Sequence, residues 1–297
     1  MPEISRCPSI ARDASLPCVG NWQTVSILGR GRWSRVYRAR PRDASPDAPA
    51  DYAIKLADPA DPADDDTARE LLLREAILGR AVSHPHLICI LSSHLNVAPY
   101  YLVMPYLEGS TLETLMEPSG PLPTPLALWI IRQAAEASRT LHSHGWLHGD
   151  VKPSNLFVTS DGHVTLLDLG LARRIGSPEP RDSWSLGGTL AYLPPEAFSS
   201  VIELGPPADV YALGVTLYQM LTARLPFEAE QPSELAEAHL HQVPEDPRQF
   251  NSRLSREVAQ LVANLLAKQP DRRPVIEQLI KDLIQLEIAT FDQRFAA

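Results

Sequence analysis

His148-Gly149-Asp150-Val151-Lys152-Pro153-Ser154-Asn155, followed after the apolar run Val164-Thr165-Leu166-Leu167 by Asp168-Leu169-Gly170, is the stretch on which the reading of this 297-residue chain turns. Taken singly, the pieces are ordinary. Asp150 reads as a residue capping a turn, and Asp168-Leu169-Gly170 as a turn closing a strand, since Asp and Gly favour such places. Their weight lies in order and spacing: four residues separate Asp150 from Asn155, and three further polar or glycine-rich elements precede them.

The first of those elements is Gly29-Arg30-Gly31-Arg32-Trp33-Ser34-Arg35-Val36. It lies between two runs of strand-like alternation, where missing side chains let backbone N–H groups approach phosphate oxygens. A glycine pair between strands is also the mark of a plain hairpin. The second and third are Lys55, in Ala53-Ile54-Lys55, and Glu75 on the following helical segment. A buried ammonium gripping phosphates needs an opposite charge to hold it, whereas a surface lysine and a solvated glutamate would need nothing.

Around these elements the pattern divides the chain. Residues 1 to about 20 contain Pro2, Pro8 and Pro17 without periodicity and read as a mobile leader. Thr24–Leu28, Arg35–Arg38 and Tyr52–Leu56 have the length and alternation of strands in an antiparallel sheet. Pro41–Asp51 and Asp58–Asp66 read as exposed loops, and Asp64-Asp65-Asp66 as a solvated charge run rather than a cation site. Ala68–Ala81 has helical spacing and stops before Pro85; Leu87–Leu91 and Tyr100–Met104 read as two more strands. Beyond Pro121, helical periodicity dominates over Pro125–His144, Pro207–Thr222, Glu234–Leu240, Arg256–Ala267 and Val275–Ile288.

In this order, the elements resemble the protein kinase family over about Trp22 to Leu283. The resemblance implies an α+β, bilobal protein-kinase fold, with a small antiparallel-sheet N-lobe carrying one main helix and a larger, mostly helical C-lobe. It sets a kinase domain at 21–290, with N-lobe about 21–104, hinge about 105–109, C-lobe about 110–290, and a tail at 291–297. It makes Asp150 the group that orients the substrate hydroxyl and accepts its proton, and Lys152 the charge that neutralises the phosphoryl group in flight. Asn155 and Asp168 would hold Mg2+, with Mn2+ as an alternative; carboxylate and amide oxygens are the hard ligands such a cation prefers. Lys55 and Glu75 would form the phosphate-gripping pair. ATP would contact Leu28, Gly29, Gly31, Ser34, Val36, Ala53, Lys55, Met104, Pro105 and Leu107. Pro105 has no N–H to give, but its carbonyl can accept from the adenine amino group and the Leu107 N–H can donate.

Downstream residues bear on the acceptor. Gly188-Thr189-Leu190-Ala191-Tyr192-Leu193-Pro194-Pro195-Glu196 is similar to the segment closing the activation loop of protein kinases, and Asp209-Val210-Tyr211-Ala212-Leu213-Gly214 to the helix beneath it. The resemblance pairs Glu196 with Arg272 and disfavours a small-molecule phosphotransferase of the same fold. Lys152 and Thr189 favour Ser/Thr over Tyr acceptors, with dual specificity left open. Compact loops rich in Pro and Ala look more like bacterial kinases of eukaryotic type than animal ones. A pseudokinase, which binds partners and transfers nothing, is disfavoured by the intact Lys55, Glu75, Asp150, Asn155 and Asp168.

The pattern departs from the family in two places. Ser34 replaces the third glycine of the loop, a tolerable change if its backbone is ordinary. Gly149 stands where many regulated kinases carry an arginine that receives a loop phosphate, so phosphorylation at Ser177, Ser183, Ser185 or Thr189 loses its usual partner. Activity without obligatory activation-loop phosphorylation is expected, with Arg173 or Arg174 as alternative basic partners. His84 and His86 are read as part of a turn, without a catalytic role.

Composition sets outer limits. A net charge of −9 disfavours nucleic-acid partners, because backbone binding needs concentrated Lys and Arg. Cys7, Cys18 and Cys89 are odd in number and lack Cys-x-x-Cys spacing, so neither a disulfide framework nor a zinc cage is expected. No membrane segment is read in this chain, and the expected setting is the cytoplasm, with protein substrates as partners.

Overall fold

The computed structural model describes residues 16–116, 120–176, 190–198 and 203–291, which form two compact units. The first takes the described residues up to Ser83, Ile88–Glu108 and Asp168–Leu171; the second takes His84–Leu87, Gly109–Leu167 and the described residues from Ala172 onward.

The first unit is an antiparallel sheet with one helix. Strands β1 (Cys18–Val19), β2 (Trp22–Arg30), β3 (Ser34–Pro41), β4 (Tyr52–Ala57), β5 (Ser92–His94) and β6 (Tyr101–Pro105) run in the order β1-β2-β3-β4-β6-β5. Side chains alternate between faces, and cross-strand partners share a face. Tyr37 opposite Ile54, and Ile54 opposite Val103, therefore fall on one face, where they pack with Val19, Ala39, Leu56 and Tyr101. The register Gly29–Val36–Lys55–Leu102 lies on the opposite face, beside Ala53–Met104. Helix α1 (Asp65–Ala81) packs on β4 and β6. Its Gly79 is required by a close approach, because a Cβ there would collide with Ile90.

Several boundaries differ from the sequence reading. Cys18 and Val19 are buried and paired with Gln23 and Trp22, so the end of the expected leader belongs to the sheet; residues 1–15 lie outside the described residues. Cys18 is disulfide-bonded, against the expectation from cysteine spacing, which does not report on pairing in space. Asp65 and Asp66 open α1 instead of extending a loop, and acidic side chains in a first turn complement the positive end of the helix dipole. Leu87–Leu91 is not a strand. Leu87 makes one isolated bridge to Leu166, and the ladder with β6 starts only when the Leu91 N–H reaches the Val103 carbonyl at 2.8 Å. Ile88 and Ile90 are buried all the same, so the run is apolar for packing rather than for sheet pairing.

The second unit is mostly helical: α2 (Leu112–Met116), α3 (Thr124–Ser143), α4 (Pro207–Thr222), α5 (Pro232–His241), α6 (Arg256–Leu265) and α7 (Ile276–Ala289). Short strands β7 (Ser110–Thr111), β9 (Leu156–Val158) and β10 (Val164–Leu166) form one small sheet, and β8 (Trp146–Leu147) pairs with β11 (Arg173–Arg174). Helix α4 is apolar around its whole circumference, and every residue from Ala208 to Thr222 except Gln219 is buried, as such a helix must be. Helices α3 and α6 pack on it, and α7 packs on α3. Gly214 allows the approach of α6, since a Cβ there would stand 2.6 Å from the Leu265 Cβ.

Candidate active site

In the first unit, the sheet register aims Lys55 from β4 and α1 aims Glu75. The Lys55 Nζ donates to Glu75 Oε2 at 2.7 Å and to Asp168 Oδ1 at 2.8 Å. Lys55 and Glu75 are 8% and 1% exposed, while the Asp168 side chain keeps 42% exposure. Burial alone would push the ammonium pKa down; the two carboxylates outweigh it, Asp168 first, and hold Lys55 charged well above its ordinary value. Asp168 itself sits at φ 61°, left-handed backbone that a non-glycine residue adopts only under local constraint. The Gly170 N–H, bonded to Asp168 Oδ1 at 3.2 Å, supplies part of that constraint.

The glycine-rich turn joins β2 to β3, closed by the Gly31 N–H on the Ser34 carbonyl at 2.8 Å. Ser34 is paired with Ala57 inside β3 and is not among the residues of positive φ, so the missing third glycine costs the loop no strain. Val36, Ala53, Lys55 and Met104 share one face of the sheet. Leu28 falls at a β-bulge and is 45% exposed. Pro105 ends β6 opposite Tyr52, and Leu107 follows half-buried.

The second unit carries the other group. Asn155 Nδ2 donates to both the carbonyl oxygen and Oδ2 of Asp150, each at 2.8 Å, and Lys152 Nζ lies 2.8 Å from the same Oδ2. A tight 3-10 turn at Pro153–Asn155 brings these three side chains together. Asp209, 1% exposed on α4, anchors the loop from below. It accepts the backbone N–H groups of His148 and Gly149, both at 2.9 Å, and its Oδ2 lies 2.7 Å from His142 Nε2 on α3. Burial drives the Asp209 pKa up, yet His142, His148 and the Gly149 N–H together hold it below the usual carboxylate value. Gly149 has φ 77°, so turning its N–H toward Asp209 uses a conformation that glycine adopts without cost.

The pairing expected for Glu196 needs correction. Its partner is Arg273, not Arg272: the two guanidinium Nη atoms meet Glu196 Oε1 and Oε2 at 2.6 and 2.7 Å. Arg273 also donates to the carbonyls of Pro207, Ala267 and Lys268, so all five of its N–H groups are used. A 3-10 turn ends at Arg272, which is exposed, and the extended backbone at Arg273 turns the next side chain inward. Of two adjacent arginines, spacing alone does not name the buried one. His142 was also missed by the sequence reading, because its contact with Asp209 spans 67 residues and nothing in the last turn of α3 announces it. Arg173 is buried, and Arg174 lies over the Trp146 ring with its guanidinium carbon 4.9 Å from the centroid. Ser177, Ser183, Ser185 and Thr189 lie outside the described residues.

Residues 22–283 match the protein kinase domain. The chain belongs to the protein kinase family. Curated relatives include serine/threonine-protein kinase PknB of Mycobacterium leprae, 32% identical over 89% of this chain and 43% of its own length. Serine/threonine-protein kinase PrkC of Bacillus subtilis is 30% identical over 86% of this chain and 38% of its own, and PknD of Mycobacterium tuberculosis 32% identical over 86% and 38%. The chain thus spans about two fifths of the length of these relatives. For a kinase domain, the α+β architecture of a curled antiparallel sheet and a helical part is the one observed. Among the described residues no helix is long and apolar enough to cross a membrane.

Two outcomes follow from the buried ions. Arg273→Ala leaves Glu196 charged and unpaired and should cost about 3–5 kcal/mol in urea unfolding, whereas Arg272→Ala should stay within about 0.5 kcal/mol. Asp209→Asn should destabilise the fold at neutral pH. Because the folded pKa of Asp209 is depressed, its contribution is fully present above the ordinary carboxylate value of about 4 and is lost as pH falls through the lowered value. The gap between wild-type and Asp209→Asn stability should therefore narrow below about pH 4 in urea titrations at stepped pH.

Proposed function

We propose that this chain is the catalytic domain of a serine/threonine protein kinase, transferring the γ-phosphate of ATP to Ser or Thr hydroxyls of proteins. The observation that carries the reading is the double hydrogen bond of buried Lys55 to Glu75 and Asp168. A structural lysine needs one partner; a lysine meant to receive phosphate oxygens is held charged and aimed by its neighbours. The names of the relatives supply the acceptor class, Ser/Thr.

The donor set suits a hard divalent cation. Asp168 offers a carboxylate with 42% of its side chain exposed, and Asn155, having committed its Nδ2 to Asp150, has Oδ1 as its remaining acceptor. Asn155 and Asp168 would hold Mg2+, or Mn2+ in its place, which when bound neutralises charge developing on the phosphate oxygens. Lys55 grips the phosphates. Asp150 orients the acceptor hydroxyl and takes its proton as the new O–P bond forms and the bond from the γ-phosphorus to the bridging oxygen of ADP breaks. Lys152, at 2.8 Å from Asp150, offsets the negative charge on the group in transfer. Leu28, Val36, Ala53 and Met104 form the apolar surround of the adenine, with the Pro105 carbonyl and the Leu107 N–H at its edge.

The domain runs over about 18–290, with residues 105–109 as its hinge, and works in the cytoplasm, where ATP is available, within bacterial signalling. Gly149 supports activity that does not wait for a loop phosphate. With φ 77° and no side chain, it offers no guanidinium to pair with one.

Phosphate transfer from ATP to a generic basic protein should be lost by about two orders of magnitude or more in Asp150→Asn and Lys55→Met, with urea midpoints showing both variants folded. Nucleotide binding without transfer under any divalent metal would instead make the chain a scaffold. Phosphatase treatment, checked by mass spectrometry, should leave turnover within about twofold; its abolition in a folded sample would overturn the independence from loop phosphorylation.

A further inference from the structure

Two buried groups hold the segment Leu190–Phe198, and the contact of one of them is unfinished. At Glu196, Arg273 meets both carboxylate oxygens and lies over the Tyr211 ring, 4.8 Å from its centroid. Helix α5 packs on the 3-10 turns Leu190–Tyr192 and Pro195–Phe198 and carries His239, fully buried against the Phe198 and Phe227 rings. Tyr192, Leu193 and Pro194 line the same small cavity as Asp150, so a hydroxyl presented to Asp150 comes in beside this segment.

The neighbours of the His239 ring fix where its proton sits. The Tyr211 hydroxyl lies 2.9 Å from His239 Nδ1. Burial pushes the Tyr211 pKa up, so the phenol keeps its proton and donates it to Nδ1. Burial, and after it the charge of Lys268, lower the His239 pKa to about 4, so the ring is uncharged at neutral pH. An uncharged ring that accepts at Nδ1 carries its one proton on Nε2. That Nε2 is buried and has no hydrogen-bond partner among the described residues.

Opposite stands a carbonyl short of a donor. Ala191, 7% exposed in the middle of its 3-10 turn, acts on the His239 ring through its backbone oxygen. The residues three and four places on, whose N–H groups would ordinarily reach that oxygen, are Pro194 and Pro195, and neither has an N–H. The oxygen accepts no backbone N–H among the described residues. Donor and acceptor thus face one another short of hydrogen-bond geometry, and buried polar groups left in that condition cost free energy that is recovered when they meet.

We propose that His239 is a positioning residue for the acceptor, its Nε2–H closing on the Ala191 carbonyl when a protein acceptor seats against Leu190–Tyr192. The inference rests on the kinase reading of the chain. A bond made only in the acceptor-bound state strengthens acceptor binding and leaves ATP binding and the transfer step as they are.

The test is steady-state transfer from ATP to mixed histones, with the acceptor KM and the ATP KM read separately in wild type, His239→Leu and His239→Gln. The glutamine amide N–H stands in for Nε2–H. His239→Leu should raise the acceptor KM about fivefold, the worth of one neutral hydrogen bond, with kcat and the ATP KM within about twofold, and His239→Gln should restore most of the loss. In the wild type, which depends on no variant folding, nitrogen NMR of the histidine rings should show His239 protonated on Nε2, with that proton moving downfield as histones saturate the chain. A proton on Nδ1 instead, or an Nε2–H signal unmoved at saturation, would overturn the proposal. So would an unchanged acceptor KM in His239→Leu, or a change in kcat and both KM values together that glutamine does not rescue, the mark of a merely structural residue. A wild type that transfers nothing overturns the kinase reading and this inference with it, whereas transfer with an unmoved Nε2–H overturns the inference alone.

Discussion

Everything chemical in the second unit hangs from one buried carboxylate. Asp209 lies on α4, the helix that the rest of the unit encloses, and receives the backbone of His148 and Gly149 together with the His142 ring. An isolated carboxylate in that place would cost several kcal/mol; one that satisfies two otherwise stranded N–H groups turns the cost into position. The loop bearing Asp150, Lys152 and Asn155 is thus referenced to a helix that is buried along nearly its whole length. That is what a site needs when its work is aiming groups rather than making bonds of its own.

The first unit solves the same problem with a strand. Lys55 is fixed by sheet register, since β4 is paired on both sides and any slip of one residue would send its side chain to the opposite face. Glu75 comes from a helix and Asp168 from a distant loop, so the ammonium gathers three elements at one point. Asp168 holds left-handed backbone there, and strain of that kind persists only where neighbours over-determine the conformation.

What the sequence disclosed and what it hid divide along physical lines. That Lys55 meets Glu75 and Asp168, and Asp150 meets Asn155, was legible because the sequence resembles the protein kinase family at these residues, in order and in spacing. The helices were legible because burying one face imposes a 3.6-residue period. Arg273 was not, because Arg272 and Arg273 are chemically alike and only the end of a 3-10 turn decides which one points inward. The run Leu87–Leu91 misled for a related reason: a short apolar run reads as a strand, but Leu87, Ile88 and Ile90 reach the interior without the ladder that would make it one. Cys18 shows the same limit, since pairing in space leaves no trace in linear spacing.

The buried ions share a further property. Glu75, Glu196 and Asp209 are each 3% exposed or less, and each is met by a cation or by several N–H groups. On stability alone, well-packed apolar side chains of similar volume would serve as well or better. What apolar contacts lack is direction. A leucine in place of Glu196 would fill the volume yet would not tell Arg273 which way to face, and the carbonyls of Pro207, Ala267 and Lys268 would lose the donor that joins them. These ions are better understood as devices of registry, each tying a loop to a helix at one orientation.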